Sequence, residues 1–297
     1  MYIQEHLNSF HNYLKFERRY SPHTITAYLA DITDFIAYYK QLYETDEIQS
    51  ANHKQIRSWI VGLMNEGIIP KSINRKISSL RTFYKFLVSK NIVETNPVLK
   101  INGLKTPKRL PQFVDIKDMT TLLEGIEFTD DYEGRRDQII IELFYATGMR
   151  LSELCALETS SIDSINGLVK VLGKGNKERL IPIHPQLLQK IQAYIIFKNT
   201  QYKENQSFLF LTQKGEKIYH KLIYRKIKSY LSLVTTLHKK SPHILRHTFA
   251  THMVNEGAEL NAVKEILGHS SLAATQVYTH NTIQKLKNVH KQAHPKS

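Results

Sequence analysis

Cysteine is almost missing from this chain: Cys155 is the only one among 297 residues. No internal disulfide can form, and its place in the apolar run LSELCAL reads as a buried thiol on a helix. Long apolar runs are absent too. No stretch reaches the roughly 18 residues of a membrane-spanning helix, and the opening MYIQEHLNSFHNYL is too polar and mixed for a secretory signal. A reducing cytoplasm, and no membrane, are therefore expected. There is also no low-complexity tract, no internal repeat, no GxxxxGK[ST] loop, no HExxH pair and no cluster of carboxylates at metal-ligand spacing. Neither a metal nor a nucleotide cofactor is expected.

Acid is in short supply as well. Against 41 Lys and Arg stand 27 Asp and Glu, a net charge of +14 with a pI near 9.6. The excess is spread along the chain: residues 1–104 hold 13 basic and 9 acidic side chains, the remainder 28 and 18. Such a surface attracts polyanions and gains from the release of their counterions, which points to nucleic acid. A basic protein without such a partner would have the same composition. The length suits two domains, each with its own core.

Apolar residues at three- and four-residue steps divide the first hundred residues into four helices. Ile3, Leu7, Phe10 and Leu14 mark the first. Ser21-Pro22 opens the second, with an N-cap and proline at the first helical position, and Ile25, Leu29, Ile32, Phe35 and Ile36 continue it. Ile56, Trp59, Ile60 and Leu63 form the third, closed by Gly67, and Ile73, Ile77, Leu80 and Leu87 the fourth. The fourth helix carries Lys71, Arg75, Lys76, Arg81 and Lys85 on its other faces. These five are candidates for contact with a phosphate backbone, although a merely solvated face fits the same pattern.

Three prolines and little periodicity between Asn96 and Pro111 place a linker at 103–112, after a helical domain at 1–102. The second domain, 113–297, is mixed. Helices are expected over 136–146, from near 150, over 185–198 and 220–231, from Ser241-Pro242, and over 260–267, with a short one ending near Tyr278. GLVKVLGKGNKERLIPI at 167–183 reads as two strands joined by the turn 173–176. The expected fold class is mainly α, a helical N-terminal domain followed by an α+β domain with a small antiparallel sheet.

Five short signatures follow in order in that second domain: ATGMRLSEL at 146–154, GKGNKER at 173–179, HILRH at 243–247, LGHSS at 267–271 and VYTH at 277–280. Singly each has a structural explanation. Together they resemble the tyrosine recombinase (lambda integrase-like) family, and the helical first domain is similar to that family's core-binding domain. Within the family the likeness is to the Xer recombinases, since the chain begins directly at the core-binding helices.

The resemblance implies that Arg150 and Arg246 grip a scissile phosphate, that Lys174 is the hairpin lysine, that His243 and His269 complete the pocket and that Tyr278 is the nucleophile. It implies cleavage and rejoining of DNA through a 3′-phosphotyrosine, without metal or ATP. The implied partners are a double-stranded recombination site and a homo- or hetero-tetramer on two such sites, with a second Xer-type recombinase and a DNA translocase as further candidates. Chromosome dimer resolution is the implied role, with integration or excision of a mobile element as the alternative. A type IB topoisomerase would share the phosphotyrosine chemistry, and a basic architectural factor would bind without cutting.

Residue chemistry agrees with those roles. A phosphodiester under attack gathers charge on its equatorial oxygens, and arginine offers a planar fork that stays charged. Tyrosine, with a pKa of about 10, needs cations and a base to attack. Glu153, one turn after Arg150, is expected to orient an arginine. His247 and His252 are expected to pack locally rather than bind metal, and His280 to be structural. Ile283, Leu286 and Val289 make an apolar stripe after Tyr278, either a frayed tail or, as in the family, a segment that docks onto a neighbouring subunit.

Overall fold

Ser21 and Pro22 start a helix in the computed structural model as their chemistry requires: the Ser21 hydroxyl accepts from the Thr24 N–H at 3.3 Å, and proline at the first position has no donor to leave unpaired. The structure describes residues 2–107, 112–173, 177–202 and 207–268, together with Val289 and Ala293. Three of the expected site residues, Lys174, His269 and Tyr278, lie outside the described residues, as do His280, Ile283 and Leu286. The chain divides into two units, residues 1–109 and 110–297.

The first unit consists of α1 (Tyr2–Asn12), continued by a π-helical turn at Tyr13–Glu17, α2 (Pro22–Tyr43), α3 (His53–Asn65) and α4 (Pro70–Ser89). Asn52 and Gln55 form a capping box at the start of α3, which satisfies donors that a helix end leaves open. The apolar faces meet in a core of Phe10, Leu14, Ile32, Phe35, Trp59, Leu80, Phe83 and Phe86. Phe10 and Phe83 pack edge to face at 5.1 Å. The Asn74 side chain donates to the Leu104 carbonyl at 2.9 Å and accepts from its N–H at 2.7 Å, so the chain is tied to this unit as far as Leu104.

The second unit opens with α5 (Ile116–Thr120) and a π-helical turn at Thr121–Gly125, which the periodicity had not suggested. Next comes α6 (Tyr132–Thr147), begun four residues earlier than expected because Asp131 caps it, accepting from the Gly134 N–H at 2.8 Å. α7 (Leu151–Ala156) follows at once. Strands β1 (Ile162–Asp163), β2 (Leu168–Leu172) and β3 (Glu178–Pro182) form an antiparallel sheet in the order β1-β2-β3. The hairpin of β2 and β3 was expected and the two-residue β1 was not. α8 (Pro185–Gln201), α9 (His220–Val234), α10 (Pro242–Asn255) and α11 (Leu260–Leu267) complete the described elements.

Val169, Val171 and Ile181 on the inner face of the sheet join Phe144, Met149, Leu154, Leu245 and Phe249 in one core. Val289 and Ala293 pack against that same core. No helix among the described residues is long and apolar enough to cross a membrane.

Candidate active site

The site begins at a helix break. α6 ends at Gly148, whose φ of +56° suits a residue without a side chain. A Cβ there would lie 2.4 Å from a ring carbon of Phe249 and 2.8 Å from Leu267, so the turn also lets α6 close against α10 and α11. The turn delivers Arg150 to the start of α7. Its backbone N–H donates to Glu153 at 2.7 Å, and its guanidinium donates to the same carboxylate at 2.7 Å and to the Gly268 carbonyl at 3.1 Å. The Arg150 side chain remains 37% exposed.

Arg246 reaches the same place from α10. Its guanidinium donates to the Gly148 carbonyl at 2.6 Å and to the Leu267 carbonyl at 2.8 Å. Burial, and then the charge of Arg150 close by, lower its pKa to about 10. The two expected arginines thus converge, each fixed by carbonyls from helix ends, where the dipole and the open acceptors favour a cation.

Glu153 fulfils the orienting role expected of it. It is 5% exposed and receives Arg179 in a two-bond fork, at 3.0 and 2.7 Å, besides Arg150. Burial pushes its carboxyl upward, but hydrogen bonds from Arg179 and Arg150 and the Arg179 charge prevail and hold it at about 2. Arg179 also donates to the Ile266 carbonyl at 2.8 Å. The sequence reading passed over this residue, although a signal was there: on β3 it alternates in phase with buried Ile181 and stands opposite buried Val171.

His243 is exposed on α10, one helical turn before Arg246, its ring parallel to that of His247 at 6.5 Å. His252 is buried and shares a 2.8 Å hydrogen bond with the Tyr145 hydroxyl, and burial lowers its pKa, as a locally packed histidine requires. Burial pushes the Cys155 thiol up to about 11, which leaves it unreactive. Among the described residues no group of three His, Cys, Asp or Glu is placed to hold a metal.

On α4 the five cations do not share one free face. Lys71 and Lys85 are exposed. Arg75 is half-exposed and pairs with buried Asp31. Arg81 donates to the Ile101 carbonyl at 3.0 Å. Lys76 corrects the expectation most: it is 8% exposed, with its ammonium between Asp31 and Asp34 of α2. A buried ammonium so paired ties α4 to α2.

Residues 112–285 match the model of the phage integrase family, and residues 7–91 match its N-terminal SAM-like domain. Curated relatives include the tyrosine recombinase XerC of Chlorobaculum parvum, 34% identical over 97% of this chain and 94% of its own, and that of Pelobacter propionicus, 35% identical over 99% and 97%. Among solved structures, the XerH recombinase bound to a palindromic difH substrate superposes with a TM-score of 0.72 at 21% identity over 89% of this chain and 78% of that one. The Tn1549 transposon integrase superposes with 0.69 at 20% identity over 94% and 98%. These two show a shared fold. The chain therefore belongs to the phage integrase family, as a site-specific tyrosine recombinase of the Xer type.

Proposed function

We propose that this recombinase cuts and reseals duplex DNA through a 3′-phosphotyrosine on Tyr278, in Xer-type resolution of chromosome dimers. One observation carries the reading: Arg150 and Arg246 hold their guanidinium groups on the adjoining carbonyls of Gly268 and Leu267. Two neighbouring cations, with the Glu153 carboxylate bonded to Arg150 and the solvent-facing side of Arg150 open, make a site for an anion with several acceptor oxygens. A phosphodiester has that form.

In the reaction the Tyr278 oxygen attacks phosphorus and the bond to the 5′ oxygen breaks. The phenolic proton passes to His243, and Lys174 returns a proton to the departing 5′ oxygen, with His269 donating to the phosphate. Arg150 and Arg246 stabilise the charge that develops on the equatorial oxygens. The phosphotyrosine ester retains the energy of the broken bond, so a 5′ hydroxyl of another strand can reverse the attack. By that balance neither ATP nor a metal is consumed, and cutting should continue in EDTA.

In this reading exposed Lys71 and Lys85, with the exposed part of Arg75 beside its ion pair to Asp31, contact the phosphate backbone. A related lambda integrase has been solved as a tetramer bound to a Holliday junction. A tetramer on two sites, with the segment after Tyr278 as a subunit link, is the corresponding reading here.

The test is to recover genomic DNA covalently retained on the protein, map it, and supply the same sequence as a nicked duplex. Wild type should accumulate a covalent adduct and Tyr278→Phe none. A single retained site near the replication terminus supports dimer resolution, whereas ends of a mobile element would replace that role. No adduct with any retained DNA sinks the reading.

A further inference from the structure

A charge on the buried face of a sheet is costly unless it is paired. Arg179 occupies such a position, 5% exposed and opposite Val171. Three of its five N–H donors are directed to two places. Nη1 and Nη2 form the fork on Glu153, at the start of α7, and Nε binds the Ile266 carbonyl, in the last turn of α11. Its stem and fork also lie against Gly268, where an added Cβ would come within 3.2 Å of Nη1 at a φ of +65°.

The placement matters because of what those partners do. Glu153 is the carboxylate that orients Arg150, and Gly268 supplies the carbonyl that Arg150 grips. Lys174 lies in sequence between the two strands of the hairpin that carries Arg179, and His269 follows Gly268 in the chain. One side chain therefore ties the hairpin, the first arginine and the end of α11.

We propose that Arg179 is a positioning residue for strand cleavage, which aligns Arg150 through Glu153 and fixes the end of α11 through the Ile266 carbonyl. The inference rests on the recombinase reading above. A residue with this role leaves the grip on DNA alone and sets the rate of the chemical step.

Lysine cannot reproduce the function in full, because a single ammonium cannot make a planar fork and a third bond in another direction. Loss of Arg179 also removes from Glu153 the strongest of its counter-charges. Among the described residues the charged groups that face Glu153 are Arg150 at the start of its own helix, Arg179 from β3 and Arg246 from α10. Without Arg179 burial gains weight and the Glu153 carboxyl moves up, so Arg150 loses its partner as the pH falls.

The test compares wild type, Arg179→Met, Arg179→Lys and Arg179→Met with Glu153→Gln. Adduct formation is followed in single turnover on the nicked duplex mapped above, at saturating DNA, beside fluorescence anisotropy for affinity. Arg179→Met should cut about 10- to 100-fold more slowly with affinity within about threefold of wild type, and Arg179→Lys should recover part of the rate. The cutting rate of Arg179→Met should fall on the acid side where wild type does not, and the double variant should lack that fall.

Wild-type rates in Arg179→Met, or a slowing explained by weaker DNA binding, would overturn the proposal. So would failure of both single variants to fold, which would make the residue one the domain needs for stability. Failure of wild type to form any adduct would instead overturn the recombinase reading itself.

Discussion

Arg150 and Arg246 hang from consecutive carbonyls, those of Gly268 and Leu267, although one arrives from the start of α7 and the other from α10. The spacing of those carbonyls sets the spacing of the guanidinium groups, so the pair is in place before any phosphate arrives. Preorganised donors of this kind favour the transition state over the ground state. Arg246→Lys should keep the charge but lose the fork that spans Gly148 and Leu267. Its single-turnover cleavage should fall by about 100- to 1,000-fold, by analogy with loss of one oxyanion donor. A fall under about fivefold in a folded variant would mean that charge alone suffices.

The same pair should make the domain responsive to anions. Burial and the Arg150 charge lower the pKa of Arg246, which states that its charged form is disfavoured as the site stands. Inorganic phosphate bound between the arginines should relieve this. At ten times its dissociation constant it should stabilise the protein by about 1.4 kcal/mol, a few degrees in melting temperature. Arg150→Ala should abolish most of the gain, measured by thermal melting with chloride matched for ionic strength.

Glu153 links the site to acid stability. Its carboxyl is held at about 2 in the folded chain against an ordinary 4.5, so its contribution is complete above 4.5 and is lost as the pH falls toward 2. The amount is on the order of 3 kcal/mol. Glu153→Gln should be destabilised by about 3 kcal/mol at pH 7, since two arginines lose their anion. The gap from wild type should narrow as urea melts are repeated from pH 5 down to pH 2.5. A gap that stays constant would show that packing, not charge, is what the variant loses.

Much of this was legible in the sequence, for reasons that differ by residue. Ser21-Pro22, the hairpin of 168–182 and the Gly148 turn are written in local chemistry, where a cap, an alternation or a left-handed backbone needs particular residue types. Arg150 and Arg246 were legible through the resemblance that their motifs carry. Arg179 and Lys76 were not, because each draws its meaning from elements remote in sequence. Arg179 looks like one more cation at a hairpin end until Glu153 and Ile266 stand beside it. Lys76 looks like part of a basic face until α2 brings Asp31 and Asp34 to it.

The turn at Gly148 should be intolerant of any side chain. Gly148→Ala would force a left-handed backbone on alanine and drive its Cβ to 2.4 Å from Phe249. A destabilisation of about 2 to 3 kcal/mol is expected in urea melts, combining backbone strain with overpacking. Because Arg246 is bound to the Gly148 carbonyl, cleavage should fall further than lost folded protein explains. Equal loss of rate and of folded fraction would confine the effect to stability.

The division of labour among the α4 cations can be read from salt dependence. Each phosphate contact contributes about −0.9 to the slope of log K against log salt concentration on duplex DNA. Lys71→Ala and Lys85→Ala, both at exposed positions, should each make the slope less steep by about that much, with little change in stability. Lys76→Met should do the reverse. Its ammonium is already committed to Asp31 and Asp34, so the slope should not move while the melting temperature drops. Titrations of the mapped duplex between 50 and 200 mM salt decide the matter, and a slope that shifts with Lys76 rather than with Lys71 or Lys85 would mean that α4 reorients its basic residues when it meets DNA.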